Sequence, residues 1–327
     1  MKKLIQTFPE QLAEALEFTG KQSFKPLDKH INNIVICGLG GSGITAKIMS
    51  HWLSNEIKVP IVLVNDYTLP SFVNENTLVI GSSYSGETEE TIFAMNEAKD
   101  KGAPVFCITS GGYLAIFCEQ NGYDIALVPG GNPPRSAIAY SLVYLTHFFQ
   151  FHGFIGNQIL LDIKSTIVLL QNENESIKEK ARQLADFLFG KVGVFYSESK
   201  YEGVLIRSRQ QFNENAKYLC WSHVIPEMNH NELVGWGGGD ERFAPVFFLT
   251  PDFHERNLFR FEITKKTIEN KAKGSFLIEA KGHSLVERYL YLIHLVDWAS
   301  YYLSELNNVD IMEIDIINYL KSELGKK

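Results

Sequence analysis

Short, uninterrupted apolar runs alternate with helical patterns along most of the chain. In the first half these runs lie at residues 34–38, 61–65, 77–81, 105–109 and 125–128. Continuous rather than alternating apolar sequence is typical of strands that are buried on both faces. Strands that alternate with helices form parallel sheets through right-handed crossovers. The sequence therefore predicts an α/β fold with a parallel sheet flanked by helices.

The second half of the chain repeats this pattern. Strand-like runs lie at residues 192–196, 246–250 and 276–279, and helical patterns at 160–171, 176–188, 203–217, 259–270, 284–306 and 310–324. A chain of 327 residues is long enough for two ordinary domains. We expect two α/β domains of the same kind, residues 1–153 and 154–327. A helix over residues 4–20 is predicted to precede the first strand.

Composition excludes several classes of function. The net charge of −7 argues against a general nucleic-acid binder, which would present a basic face. The longest apolar helix pattern, residues 284–306, contains Glu287, Arg288 and Asp297, and this charge density argues against a membrane span. No signal peptide is visible at the start of the chain. The four cysteines form no CxxC motif, so we expect neither a disulfide framework nor a zinc site, and a cytoplasmic location.

A hydroxyl-rich turn follows the predicted strand at residues 77–81. It contains Ser83, Ser85 and Thr88, and a helical pattern begins at about residue 89. The first backbone N–H groups of a helix are unpaired, and the helix dipole favours an anion there. The turn is therefore a candidate phosphate site. The alternative is a simple helix cap formed by Thr88 and Thr91.

A glycine-rich turn, residues 38–43, follows the first predicted strand. Its sequence GLGGSG contains a formal GxGxxG pattern, which is typical of dinucleotide-binding folds. Asp66 lies 23 positions after Gly43, where that fold needs an acidic residue, so an NAD-dependent dehydrogenase is one alternative. Ser42 in this turn and the second hydroxyl-rich turn favour a single phosphosugar over a pyrophosphate.

These turns resemble the sugar isomerase (SIS) domain, and the later motifs narrow the resemblance. The motifs are GGS at residues 40–42, SYSGETEET at 83–91, NPPRS at 132–136, NENAK at 213–217, EMNHNE at 227–232 and DWASYY at 297–302. In this order the chain resembles the bifunctional phosphoglucose/phosphomannose isomerases from about residue 5 to its end. The resemblance implies two SIS domains, a homodimer with shared active sites, and neither metal nor organic cofactor.

The resemblance also implies a role for each site residue. The substrate phosphate is expected at Gly41, Ser42, Ser83, Ser85 and Thr88. Three further residues act on the sugar: Glu214 as the base, Arg135 beside the enediolate, and His230 in ring opening from the neighbouring subunit. Lys321 is expected to assist ring opening, with Lys326 and Lys327 as nearby alternatives.

Several residues have simpler interpretations. Glu214 could be a surface glutamate, Arg135 a solvated arginine at a helix start, and Lys321 a surface lysine. His223, Glu227, His230 and Glu232 are acceptable metal ligands, but their spacing would suit a metal only on a helix, which Pro226 disfavours.

The implied reaction is the interconversion of glucose 6-phosphate and fructose 6-phosphate through a cis-enediol. The family also accepts mannose 6-phosphate, a property associated with a threonine in a Pro-Thr-Pro segment. Here that segment reads Ile311-Met312-Glu313, which puts mannose 6-phosphate in doubt. The rival function is a non-catalytic SIS module that senses a phosphosugar, which would need neither Glu214 nor His230.

Overall fold

Two parallel sheets organise the chain in the computed structural model, which describes residues 1–326. The first contains β1 (Asn33–Cys37), β2 (Ile61–Val64), β3 (Thr77–Ser82), β4 (Val105–Thr109) and β5 (Asp124–Leu127) in the order β2-β1-β3-β4-β5. The second contains β6 (Val192–Glu198), β7 (Trp221–Ile225), β8 (Phe243–Leu249) and β9 (Phe276–Glu279) in the order β7-β6-β8-β9. The shared strand order confirms the expected α/β architecture with two sheets of the same kind.

Helices cover both sheets. They are α1 (Lys2–Gln6), α2 (Phe8–Thr19), α3 (Gly40–Trp52), α4 (Glu89–Asp100), α5 (Gly112–Asn121), α6 (Ile138–Phe151), α7 (Gln158–Asn172), α8 (Asn174–Leu188), α9 (Glu202–Ala216), α10 (Glu232–Gly235), α11 (Glu255–Ala272), α12 (Leu285–Leu306) and α13 (Asp315–Leu324). Within residues 1–326, none of these helices combines the length and apolarity that crossing a bilayer requires.

Burial on both faces explains the continuous apolar runs of the first sheet. Val35 of β1 pairs with Val79 of β3, and both belong to a core cluster that includes residues of α4 and α5. Their neighbours Ile36 and Ile80 belong to the larger cluster on the opposite face. Both faces are therefore buried, as continuous rather than alternating sequence predicts.

A single large core joins the two halves. Buried residues of α2, α6, α7, α8, α9 and α12 belong to one hydrophobic cluster. α12 is its longest helix, and it starts at a capping box in which Ser284 and Glu287 satisfy each other's backbone N–H groups. The proposed domain division at 153/154 falls between α6 and α7, where packing continues from one half into the other.

The structure differs from the prediction at four elements. The helix expected over 4–20 is broken at Thr7 into α1 and α2. β7 was not predicted, because its residues include Ser222 and His223 and give a weak apolar signal. Residues 310–314 are not helical, since the carbonyls of Asp310 and Glu313 accept hydrogen bonds from Lys217 Nζ, each at 2.7 Å. α3 starts at Gly40, within the turn predicted over residues 38–43, which places Ser42 in its first turn.

Candidate active site

The hydroxyl-rich turn lies at the carboxyl end of the central strand β3. Ser83 Oγ and Thr88 Oγ1 lie 2.7 Å apart, and the N–H of Glu87 donates to Ser85 Oγ at 3.2 Å. Thr88 immediately precedes α4, but in the structure of residues 1–326 its side chain makes no capping hydrogen bond. The simple-cap interpretation of Thr88 is therefore wrong. The start of α4 is left with hydroxyls beside it and no side-chain cap.

Glycine is required at one position of this turn. Gly86 has a φ of +70°, and a Cβ built there would lie 1.9 Å from the carbonyl oxygen of Gly111. No side chain fits in that space, and the left-handed conformation also disfavours one. Gly86 thus lets the turn pack directly on the loop between β4 and α5.

The two phosphate turns predicted from the sequence are in contact. The N–H of Tyr84 donates to Ser42 Oγ at 3.1 Å, and Ser82 Oγ donates to the Ser42 carbonyl at 3.3 Å. This follows from the sheet, because β1 and β3 are neighbours and both turns leave its carboxyl edge. Ser42 and the 82–88 turn therefore form one hydroxyl-lined surface beside two helix N-termini.

Arg135 lies next to this surface in a short 3₁₀ turn before α6. A Cβ on Gly41 would lie 3.3 Å from both Cα and N of Arg135, so the glycine permits the close approach. Tyr84 connects the same parts of the chain. Its hydroxyl donates to the Pro129 carbonyl at 2.8 Å and accepts from the Asn132 N–H at 3.0 Å. The loop that leads to Arg135 is thus attached to the hydroxyl-rich turn.

The Arg135 side chain is 3% exposed and is held by three acceptors. Its Nη1 lies 3.1 Å from Glu214 Oε2, its Nε donates to Asn215 Oδ1 at 2.7 Å, and its Nη2 donates to the Ile311 carbonyl at 2.7 Å. Burial lowers the pKa of the Arg135 guanidinium, and the Glu214 carboxylate opposes that shift. This burial rules out a solvated arginine.

Glu214 faces an open cavity. Its side chain is 28% exposed, and a cavity of about 330 Å³ adjoins it, bounded on the other side by Ile314, Ile316 and Ile317 at the start of α13. Lys217 Nζ also donates to the Glu214 carbonyl at 2.9 Å. The carboxylate therefore combines a buried cationic partner with access to solvent.

His230 is not brought to this site within the chain. It is exposed at the end of a 3₁₀ turn, Glu227–His230, that follows the carboxyl end of β7. Glu214 lies at the end of α9, which runs back from the carboxyl end of β6 to the start of β7. The two residues therefore lie at opposite edges of the second sheet. Among the hydrogen bonds of residues 1–326, none joins His230 to Arg135 or Glu214.

The neighbours of His230 form a separate cluster. Glu232 accepts a hydrogen bond from Tyr196, lies 2.9 Å from His223 Nδ1, and accepts from Trp221 Nε1 at 3.2 Å. Burial raises the pKa of the Tyr196 hydroxyl strongly, and Glu232 adds to that shift. In the described part of the chain, no three His, Cys, Asp or Glu side chains are arranged to hold a metal ion.

Two other predicted residues are exposed. Lys321 lies on α13, in which no residue is buried, and it does not line the Glu214 cavity. Lys327, an alternative to it, lies outside the described residues. Asp66 is exposed, and its Oδ1 accepts from the N–H of Tyr67 at 2.7 Å.

Sequence reasoning missed the support behind Arg135. Asp297 and Ser300 of α12 are buried and belong to a hydrogen-bond network that reaches Asn215 and Arg207. The signal was present, because Asp297 is a charged residue within a largely apolar helix. Asp297 and Ser300 also belong to the DWASYY motif at 297–302, but neither the motif nor the charge predicts contacts with Arg207 and Asn215.

The chain matches two protein-family descriptions. Residues 29–128 match the SIS domain, and residues 177–324 match the bacterial phospho-glucose isomerase C-terminal SIS domain. A bifunctional phosphoglucose/phosphomannose isomerase of Aquifex aeolicus is 36% identical over 90% of this chain and 90% of its own length. The enzyme of that name from Caldicellulosiruptor bescii is 34% identical over 100% of this chain and 99% of its own.

The chain belongs to the bifunctional phosphoglucose/phosphomannose isomerase family. A more distant relative, the D-glucosamine-6-phosphate 4-epimerase of Sulfolobus acidocaldarius, is 30% identical over 76% of this chain and 81% of its own length. Solved structures share the fold of the family at low identity. The tagatose-6-phosphate ketose/aldose isomerase of Escherichia coli superposes with a TM-score of 0.70 at 14% identity, over 95% of this chain and 93% of that one.

Proposed function

We propose that this chain interconverts glucose 6-phosphate and fructose 6-phosphate by proton transfer through a cis-enediol. The contact between Arg135 and Glu214 beside the hydroxyl-rich turns carries this proposal. It combines a carboxylate open to solvent, a buried cation and a neutral anion-binding surface within one contiguous region. A phosphosugar sensor would need only the last of these.

The substrate phosphate would be bound by groups that take no part in the proton transfer. Ser42, Ser83, Ser85 and Thr88, with the backbone N–H groups at the starts of α3 and α4, would surround it. Helix N-termini favour phosphate through their unpaired N–H groups and dipoles. Hydroxyls add donors without adding charge. The sugar would then extend from this surface toward Arg135 and Glu214.

Glu214 moves the proton. In the open-chain aldose its carboxylate takes the proton from C2. The C2–H electron pair forms the C1–C2 double bond, and the π electrons of the C1 carbonyl move to O1, which gives the enediolate. The proton then returns to C1, and the hydroxyl proton of O2 passes to O1 as the C2 carbonyl forms, which gives the ketose. No electrons leave the sugar, so the reaction needs neither an oxidant nor a reductant. The Arg135 guanidinium stabilises the charge that develops on the oxygens, usually a large contribution to catalysis.

Ring opening requires a further acid or base, which we assign to His230 of a second copy of the chain. The placement of His230 and Glu214 at opposite edges of one sheet supports a shared site in a homodimer, because one copy cannot supply both. Lys321 is proposed to assist from α13, whose start borders the Glu214 cavity.

Mannose 6-phosphate is proposed as a poorer substrate. Met312 follows Ile311, whose carbonyl accepts a hydrogen bond from Arg135 Nη2 at 2.7 Å, and from this adjacency we infer that position 312 is near the reacting end of the sugar. Its side chain is 45% exposed and is longer than the threonine typical of the family. We also propose a cytoplasmic location, which is consistent with four unpaired cysteines.

Purified protein incubated with fructose 6-phosphate, with glucose 6-phosphate detected by a coupled dehydrogenase, tests the proposal. We expect turnover, and we expect Glu214→Gln to abolish it while retaining binding of fructose 6-phosphate. Glu202→Gln is the matched control, since Glu202 lies on the same helix and pairs with Lys47 at 2.6 Å instead. Binding without turnover by the wild type would instead support the sensor.

A further inference from the structure

A buried polar network lies between α9 and α12. Asp297 of α12 accepts hydrogen bonds from Arg207 Nη2 and Gln211 Nε2 of α9, each at 2.7 Å. Arg207 is 2% exposed and Asp297 is 6% exposed. Burial raises the pKa of the Asp297 carboxyl, although Arg207 and Gln211 oppose the shift. A buried ion pair such as this one is rarely more stabilising than apolar side chains of the same volume.

The network is also incompletely satisfied. Within residues 1–326, Arg207 Nε and Gln211 Oε1 are buried without a hydrogen-bond partner. Such groups cost free energy that a purely apolar contact between α9 and α12 would avoid. Stability alone therefore does not account for charged and polar residues between α9 and α12. Their contacts with Arg135 suggest a role in the site.

The network ends on Arg135 at two points. Arg207 Nη2, which binds Asp297, also donates to the Arg135 carbonyl at 3.0 Å and so holds its backbone. Asn215 Oδ1 accepts from Arg135 Nε at 2.7 Å and so holds its guanidinium. The other end of the Asn215 amide donates to Ser300 Oγ of α12 at 2.9 Å. Both the backbone and the side chain of Arg135 are thus attached to α12.

Ser300 determines which end of the Asn215 amide faces Arg135. The Ser300 hydroxyl donates its one proton to the Asp297 carbonyl at 2.7 Å, which leaves it only as an acceptor. Asn215 must therefore present its NH₂ group to Ser300. Its oxygen then points to the Arg135 Nε–H. In a flipped amide, the NH₂ group would face the Arg135 Nε–H, so that two hydrogen-bond donors would lie opposite each other. The hydroxyl on α12 thereby sets the acceptor that orients the guanidinium.

We propose that Asp297–Arg207 and Ser300–Asn215 act as positioning residues that hold Arg135 in its catalytic geometry. None of the four is assigned contact with the substrate. The inference rests on the proposed isomerase function, because Arg135 is assigned there to the developing enediolate. Since the phosphate-binding hydroxyls are not part of the network, its loss should lower kcat and leave KM nearly unchanged.

Two serine variants provide a matched test. Ser300 and Ser208 are both fully buried, and each donates to a main-chain carbonyl of its own helix, Ser208 to that of Val204 at 2.8 Å. Only Ser300 also accepts from Asn215. We expect Ser300→Ala to lower kcat about tenfold, as loss of a hydrogen bond in the transition state does. Ser208→Ala should leave kcat unchanged, and KM should stay near wild type in both.

A double mutant separates positioning from general structural damage. Arg135→Lys removes the Nε–H that Asn215 accepts, so adding Ser300→Ala to it should cost little further activity. If Ser300→Ala lowers kcat by the same factor in both backgrounds, or if Ser208→Ala is equally harmful, the positioning role is excluded. Thermal unfolding of each variant reports whether it still folds.

A second readout does not depend on activity. In ¹⁵N-arginine-labelled protein, the Nε–H signal of Arg135 is identified by its loss in Arg135→Lys. We expect Ser300→Ala, but not Ser208→Ala, to speed the exchange of this proton with solvent. An unchanged signal would overturn the inference even if the isomerase is active. The expected change in a protein without isomerase activity would contradict the proposed function alone.

Discussion

His294 of α12 makes the stability of the folded protein dependent on pH. It is 1% exposed, stacks on Phe8 with ring centroids 5.5 Å apart, and accepts from Trp298 Nε1 at 3.3 Å. Its Nδ1 is buried and has no hydrogen-bond partner among residues 1–326. Burial lowers the pKa of His294 from 6.5 to about 3, and Lys178 adds to the shift. The imidazole is therefore neutral in the folded protein at any ordinary pH.

The sign and size of the effect follow from proton linkage. Below a pH of about 6.5 the unfolded chain binds a proton at His294 that the folded chain does not, so stability falls as pH falls toward 3. Between about pH 7 and pH 5 the loss from this residue is roughly 2 kcal/mol. His51, whose pKa burial lowers to about 4, acts in the same direction.

Urea unfolding of wild type and His294→Gln at both pH values measures this contribution. Glutamine keeps an acceptor for Trp298 but cannot take up the proton. The variant should lose about 2 kcal/mol less than wild type between the two pH values, whatever its stability at neutral pH. An equal loss in both proteins would refute the reasoning. Because His294 lies one turn before Asp297, acid should also loosen the helix that supports Arg135.

Three further predictions concern the site. Arg135→Lys should lower kcat about 100-fold with a small change in KM, since the single nitrogen of lysine cannot reach acceptors that lie around three nitrogens of a planar guanidinium; a kcat near wild type would contradict its role. Met312→Thr should raise the rate with mannose 6-phosphate relative to fructose 6-phosphate, and an unchanged ratio would contradict the assignment of position 312. His230→Ala and Glu214→Gln should each be inactive, yet their mixture, after subunit exchange, should recover about a quarter of wild-type activity if sites are shared. No recovery from exchanged subunits would place both residues in one copy.

The sequence predicted the strands and turns well because their signals are local. Continuous apolar runs identified eight of the nine strands in the part of the chain that the structure describes, and the hydroxyl-rich turn follows the end of β3 as predicted. The missed strand β7 is a polar edge strand, whose pairing with β6 decides its conformation. Residues 310–314 were misassigned because Lys217, distant in sequence, binds their carbonyls. Long-range contacts of this kind leave no local pattern.

The residues of the candidate site also divide into those that a local pattern identifies and those that only the folded chain brings together. Ser42, Ser83 and Thr88 could be proposed from a strand–turn–helix pattern alone. The partners of Arg135 could not, because they come from α9, α12 and the segment before α13, and only the folded chain brings these together. The family resemblance supplied the roles of Glu214 and His230, and the structure adds the contact between Glu214 and Arg135.

Deuterium incorporation into the sugar tests the central claim most directly, because that claim is proton transfer by Glu214. Fructose 6-phosphate and enzyme are incubated in D₂O, and the hydrogens at C1 and C2 are followed by NMR. Wild type and Glu202→Gln should incorporate deuterium at these positions at the same rate, and Glu214→Gln should incorporate none while still binding the substrate. Incorporation by Glu214→Gln at the wild-type rate would contradict the account.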